Sequence, residues 1–180
     1  SRSVKPAIVE ECNGHKYGII GTSPIDLYKR SKVGVIQKEI QVDKARETVQ
    51  DIQKEADKLQ AQGINKIILL SHLGYTMDKI IANQTKGIDV ILGGHSHDLL
   101  LDVKEGQNLF YSKSGEPVVI TQAGRDGKNF GILNLEFSQD GVIKKVQNNV
   151  GNTKDFNRNS AVKYVFNKIF GTKETYGYIN

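Results

Sequence analysis

Asp89-Val90-Ile91-Leu92-Gly93-Gly94-His95-Ser96-His97 carries most of what the chain says about its fold: a short apolar run empties into two glycines and then two histidines one residue apart. Aliphatic and β-branched residues over a few positions suit a strand covered on both faces, and the glycines let the backbone turn sharply as it leaves the sheet. In open α/β sheets ligands bind beyond the carboxyl ends of the strands, where His95 and His97 are expected. A second run, Lys66-Ile67-Ile68-Leu69-Leu70-Ser71-His72, ends the same way. Two parallel strands that each end in histidine point to a metal or phosphate site.

On either side of these runs, the spacing of Ala45, Val49, Ile52, Ala56 and Leu59 predicts a helix from Asp43 to Gln62, with Asp43 as N-cap and Gly63 as the residue past its end. A second helix is expected from Thr76 to Thr85, with Thr76 as cap and Met77, Ile80 and Ile81 facing inward; Ile88–Leu92 then begins the next strand. Upstream, Ala7–Cys12 and Lys16–Gly21 flank Asn13-Gly14-His15, a hairpin pattern that makes His15 a solvated turn residue. Thr22 to Ile40 has no steady period and reads mostly as loop. Strand, helix, strand, helix, strand is the grammar of right-handed crossovers on a parallel sheet.

Beyond His97 the grammar changes. Asp98 to Lys113 reads as loop, and Pro117–Gln122, Asn129–Phe137 and Val142–Val150 read as strands of an antiparallel half. The expected class is therefore α/β with a mixed α+β character, βαβαβ followed by antiparallel strands. A polar stretch from Gly151 to Asn159 precedes an expected short helix from Ser160 to Phe170, so residues 1–150 form the domain and 151–180 a tail that begins a linker.

Length and composition bound the function. The chain has 180 residues, 38% of them hydrophobic, enough for a core of its own. Its net charge of +5 is spread among 25 Lys and Arg and 20 Asp and Glu without a run of one sign. A nucleic-acid footprint needs a clustered basic stripe, so no nucleic-acid partner is expected, whereas small anionic substrates suit the same balance. The single cysteine, Cys12, cannot form an internal disulfide and reads as a non-catalytic thiol. No window approaches a membrane span and no signal peptide opens the chain. Ser1 is not an initiating Met, which suggests a processed or excised piece.

Three of the four histidines, His72, His95 and His97, fall at the two predicted strand mouths. Imidazole is the commonest side-chain ligand for zinc-like metals, and histidines at i and i+2 on a loop can address two ions. The plainer alternative is a polar turn at His95 and His97 with His72 capping the neighbouring helix. A hydrolytic two-metal site also needs a carboxylate bridging ions about 4 Å apart, and none is convincing. Asp98 serves equally as ligand, turn residue or N-cap; Asp89 lies at the far end of its strand; Asp78 lies in a helix and Asp126 in a later turn. Ser71 and Ser96 lack a nucleophile-elbow pattern, and Gly93-Gly94 is no Walker or dinucleotide motif.

Ser71-His72-Leu73-Gly74 followed by Gly93-Gly94-His95-Ser96-His97 resembles the second half of a calcineurin-like metallophosphoesterase domain. More narrowly, the order of these motifs with Gly18-Ile19-Ile20-Gly21, Glu55-Ala56-Asp57-Lys58-Leu59, Gly87-Ile88-Asp89 and Gln122-Ala123-Gly124 resembles the 5′-nucleotidase family, with its UDP-sugar hydrolases and 2′,3′-cyclic nucleotide phosphodiesterases. The resemblance runs from about Lys5 through Asn149. It implies half of a four-layer α/β/β/α sandwich with two divalent ions, zinc, manganese or similar, His72 and His95 on one and His97 on the other. It implies a nucleotide or other phosphoester substrate and a periplasmic, secreted or cell-surface setting. The family's Asp-x-His, Gly-Asp and Asn-His motifs have no match here. The isolated chain is therefore expected to be inactive, to hold at most one ion weakly, and to self-associate or pair with a missing N-terminal half. The alternative is a non-catalytic metal-binding or scaffold remnant of that fold.

Overall fold

The structure is a computed structural model that describes residues 5–25 and 45–155. Eight strands and two helices are present among them: β1 Ala7–Cys12, β2 His15–Gly21, α1 Ala45–Gln60, β3 Ile67–Leu70, α2 Tyr75–Gln84, β4 Val90–Leu92, β5 Leu109–Tyr111, β6 Pro117–Thr121, β7 Asn129–Phe137 and β8 Ile143–Asn152. A 3-10 turn, Thr153–Asp155, follows. The proposed N-cap Asp43, most of the Thr22–Ile40 loop and the Ser160–Phe170 helix lie outside the described residues.

Six strands form one sheet in the order β1-β2-β3-β4-β6-β5, and β7 and β8 form a second. β2, β3, β4 and β6 run parallel. The β1–β2 hairpin turns on Asn13 and Gly14 alone, both at positive φ (52° and 75°), the pattern of a tight two-residue turn whose twist suits paired strands. His15 is consequently the first residue of β2, paired with Cys12, rather than part of the turn, and it is exposed as expected.

Side-chain alternation sends β3 and β4 residues to two cores. Ile67, Leu69 and Ile91 join Ile20, Val118 and Ile120 under the helices, where Ile52, Ala56, Leu59, Ile81 and Ala82 complete one cluster. Val90 and Val119 face the other way and pack with Ile143, Leu133, Leu135 and Phe137 of the second sheet. The layers are thus helices, six-stranded sheet, two-stranded sheet, three of the four that the resemblance implies.

Local chemistry sets the end of α1. Gly63 adopts φ 79°, its N–H reaches Gln60 O (2.9 Å), and the Ile64 N–H reaches Leu59 O (3.1 Å). This is a Schellman close, with Ile64 and Leu59 buried together as its apolar contact. α1 sits close to β2 because Gly18 has no side chain: a Cβ there would lie 2.7 Å from Leu59 Cδ1.

Three expectations are corrected. Pro117–Thr121 is an interior parallel strand beside β4, not part of an antiparallel half; its Val118, Val119 and Ile120 are all buried, as a strand covered on both faces requires. Leu109–Tyr111, expected as loop, is the edge strand paired antiparallel to β6. Thr76 is not a helix cap, since α2 starts at Tyr75 with Gly74 in the cap position and no side chain of its own to offer. Met77 and Ile80 are half-buried, and the inward face centres on Asp78, Ile81 and Ala82.

Candidate metal centre

The parallel strands deliver the site. Leu70 and Leu92 are cross-strand partners, so Ser71-His72 and Gly93-Gly94-His95 leave the sheet side by side. The Ser71 N–H donates to Leu92 O (2.9 Å) and the Gly93 N–H to Thr121 O (2.8 Å), which carries the ladder one step past each strand end. Three strand ends, β3, β4 and β6, therefore open at one mouth.

His72 and His95 meet there edge to face, with ring centroids 5.3 Å apart and planes at 71°. Gly94 makes the approach tight: a Cβ there would lie 3.0 Å from His72 Nδ1, whereas one on Gly74 would meet His95 Cδ2 at an ordinary contact distance of 3.5 Å. Two imidazoles on one tetrahedral ion, each nitrogen ~2.0–2.1 Å from it, place their ring centroids roughly 5 Å apart. The centroid separation of the pair matches that distance. His97 is exposed, and among the described residues no three His, Cys, Asp or Glu side chains converge closely enough to hold an ion. His72 is likewise exposed and caps no helix; Ser96 Oγ instead accepts the first amide of α2, from Tyr75, at 2.9 Å.

His95 and His97 both sit at positive φ, 75° and 64°. Histidine tolerates this left-handed region better than most residues, yet such conformations are costly and concentrate where a loop must aim side chains. The backbone alternation is stabilised from beneath by Gln122, which is only 3% exposed. Its Oε1 accepts the Asp98 N–H (2.6 Å), and its Nε2 donates to Gly94 O (3.3 Å) and reaches Ser96 Oγ (3.3 Å).

Below the mouth, Asp78 is fully buried. Ser71 Oγ donates to its Oδ1 (2.5 Å) and accepts the Leu73 N–H (3.2 Å), which fastens the chain on either side of His72. Burial pushes the Asp78 carboxyl up to about 6, assisted by the nearby Asp98 charge and opposed by the Ser71 hydrogen bond. Burial and Asp98 raise Tyr75 as well; its hydroxyl donates to Gln107 O, and the Lys79 ammonium lies 4.4 Å from its ring centroid.

The other carboxylates do not join the histidines. Asp89 is buried at the opposite end of β4, where its Oδ2 accepts the Ile67 N–H at 2.7 Å. Asp126 pairs with Arg125 and Lys128 on an exposed turn. Cys12 is a free, exposed thiol. A hollow of about 460 Å³ lies elsewhere, between the end of β2 and α1, bordered by Ile20, Thr22, Thr48 and Ile52 and without a histidine. Sequence reasoning misses Gln122 and Asp78 as parts of this site. The signal for Gln122 is its place directly after β6, legible only once β6 is read as a fourth parallel strand.

Comparison with known proteins agrees with this geometry. No family model matches the chain. It is 35% identical over 156 residues to a 5′-nucleotidase of Diplobatis ommata, covering 80% of the chain and 26% of that relative. It is 34% identical over 176 residues to a snake venom 5′-nucleotidase of Gloydius brevicauda, covering 92% of the chain and 29% of that relative. Its fold matches the crystal structure of a 5′-nucleotidase precursor from Thermus thermophilus with a TM-score of 0.72 at 30% identity, over 82% of the chain and 29% of that structure. The chain thus spans between a quarter and a third of the length of these relatives. With sequence and fold in agreement, the chain belongs to the 5′-nucleotidase family, of which it shares one segment.

Proposed function

We propose that the chain is part of a metal-dependent phosphoesterase that hydrolyses nucleotides, of the 5′-nucleotidase, UDP-sugar hydrolase or 2′,3′-cyclic nucleotide phosphodiesterase type. The observation that carries this reading is the His72–His95 pair, 5.3 Å apart where the parallel strands end. His72 and His95 hold one divalent ion, zinc, manganese or similar, and His97 contributes to a second. Such ions, when bound, supply positive charge that polarises a phosphoryl oxygen and offsets the charge developing in the reaction. The chain's own part is to present the imidazoles. Ser71 and Asp78 fasten the His72 turn, and Gly94 lets the two loops approach.

The isolated chain is inactive in this proposal and holds at most one ion weakly, because no carboxylate among the described residues stands with the histidines to bridge two. The whole protein acts in a periplasmic, secreted or cell-surface setting, which the venom 5′-nucleotidase relatives support. No helix among the described residues is long and apolar enough to cross a membrane.

Release of phosphate from a nucleoside 5′-monophosphate tests the reading, with the chain and with its gene product extended at the N-terminus. The proposal expects metal-dependent release from the extended protein only. An extended protein without such activity overturns it.

A further inference from the structure

The loop that bears His95 and His97 is held at every second residue. Gln122 contacts Gly94, Ser96 and Asp98, and the two histidines lie between those contacts. Neither imidazole makes a hydrogen bond to another described residue, so the grip falls wholly on the even positions. The amide orientation is forced: Asp98 N–H can only donate and Gly94 C=O can only accept, so Oε1 must face the first and Nε2 the second. Ser96 Oγ extends the grip to α2 by accepting the Tyr75 amide.

We infer that Gln122 is a positioning residue that fixes the two left-handed turns at His95 and His97 and so aims their imidazoles at the metal site. Touching neither imidazole, it acts through the backbone of the loop. A single buried side chain with both a donor and an acceptor is required because the loop presents it with one carbonyl and one amide. Gln122→Glu retains the acceptor for Asp98 and, when ionised, loses the donor to Gly94. Gln122→Ala loses both. The inference rests on the proposed metal site for its purpose but not for its geometry, and the two are separated by measuring the chain first without metal.

Amide hydrogen exchange on the metal-free 180-residue chain is the first readout. Gln122→Ala is expected to speed exchange of the Asp98 amide about tenfold or more while the β3 and β4 amides and the circular dichroism stay as in the wild type, and Gln122→Glu is expected to restore Asp98 protection. Unchanged exchange at Asp98 in Gln122→Ala overturns the inference, as does a loss spread equally over β3 and β4, which marks a general packing role. The second readout is Co²⁺ titration followed by its absorption spectrum. Partners that orient ligands from behind are worth ~10–100-fold in affinity, so Gln122→Ala is expected to weaken Co²⁺ binding by about that factor, with Gln122→Glu between it and the wild type. Equal affinity in all three proteins overturns the aiming role. If the wild-type chain binds no Co²⁺ yet exchange at Asp98 responds as stated, the aiming role fails and the positioning of the loop stands.

Discussion

Asp78 lies directly beneath Gly93: a Cβ on that glycine would come within 2.5 Å of Asp78 Oδ2, the oxygen that Ser71 leaves without a partner. The first glycine of the Gly-Gly pair is therefore a packing requirement of the buried carboxylate. The second serves the site, since its missing Cβ is what admits His72.

Gly93→Ala is accordingly expected to destabilise the chain by ~1–3 kcal/mol, the usual cost of forcing a methyl group into a packed interior. Because the clash has a named partner, the cost should fall sharply in an Asp78→Ala background. Urea denaturation of the four proteins of the cycle measures the coupling. Additive effects would show that Asp78 is not what Gly93 accommodates.

Stability should decline as pH rises from acid to neutral. Burial raises Asp78 to about 6, and it raises Asp89 to about 7 against the Ile67 hydrogen bond, with the Glu116 charge adding to the rise and Lys66 opposing it. Both groups bind their proton more tightly folded than unfolded, where they titrate near 3.8. Their contribution is complete below that value and is lost as pH passes through about 6 and about 7. Asp89→Asn keeps an acceptor for the Ile67 amide and removes one titration. Denaturation curves from acid to just above neutral pH should therefore be flatter for Asp89→Asn than for the wild type, and parallel curves would contradict the assignment.

Leu70 and Leu92 pair across β3 and β4 on the sheet face opposite the helices, yet remain 45% and 38% exposed, with Ile8 also exposed at 43%. Apolar side chains left open on a sheet favour association. We expect the chain to self-associate with rising concentration, and Leu70→Thr with Leu92→Thr to reduce this at little cost in stability. Light scattering over a wide concentration range decides it; a monomer throughout would refute the expectation.

Much of this fold is legible in the residues, for physical reasons. The apolar runs at Ile67–Leu70 and Val90–Leu92 are buried strands, and the Ala45 to Leu59 spacing marks α1 because one stripe must face the sheet. The parallel pairing of β6 is hidden because its connection from β4 carries no helix pattern, although Val118-Val119-Ile120 is as continuous an apolar run as β3. The start of α2 is hidden too, because its cap comes from Ser96, far along the chain, and no local pattern records a cap supplied through space. For the same reason the histidines stand out as candidates while Gln122 and Asp78, which reach the loops from other elements, do not.

A Zn²⁺ titration of the chain followed through its imidazole resonances probes the paired-histidine site directly, with His15 as internal control at the remote hairpin. The His72 and His95 signals should shift together on binding one ion, His15 should not move with them, and His72→Ala should abolish the response of His95. An unchanged His95 response in His72→Ala, or a His15 shift as large as theirs, would contradict a site shared by His72 and His95.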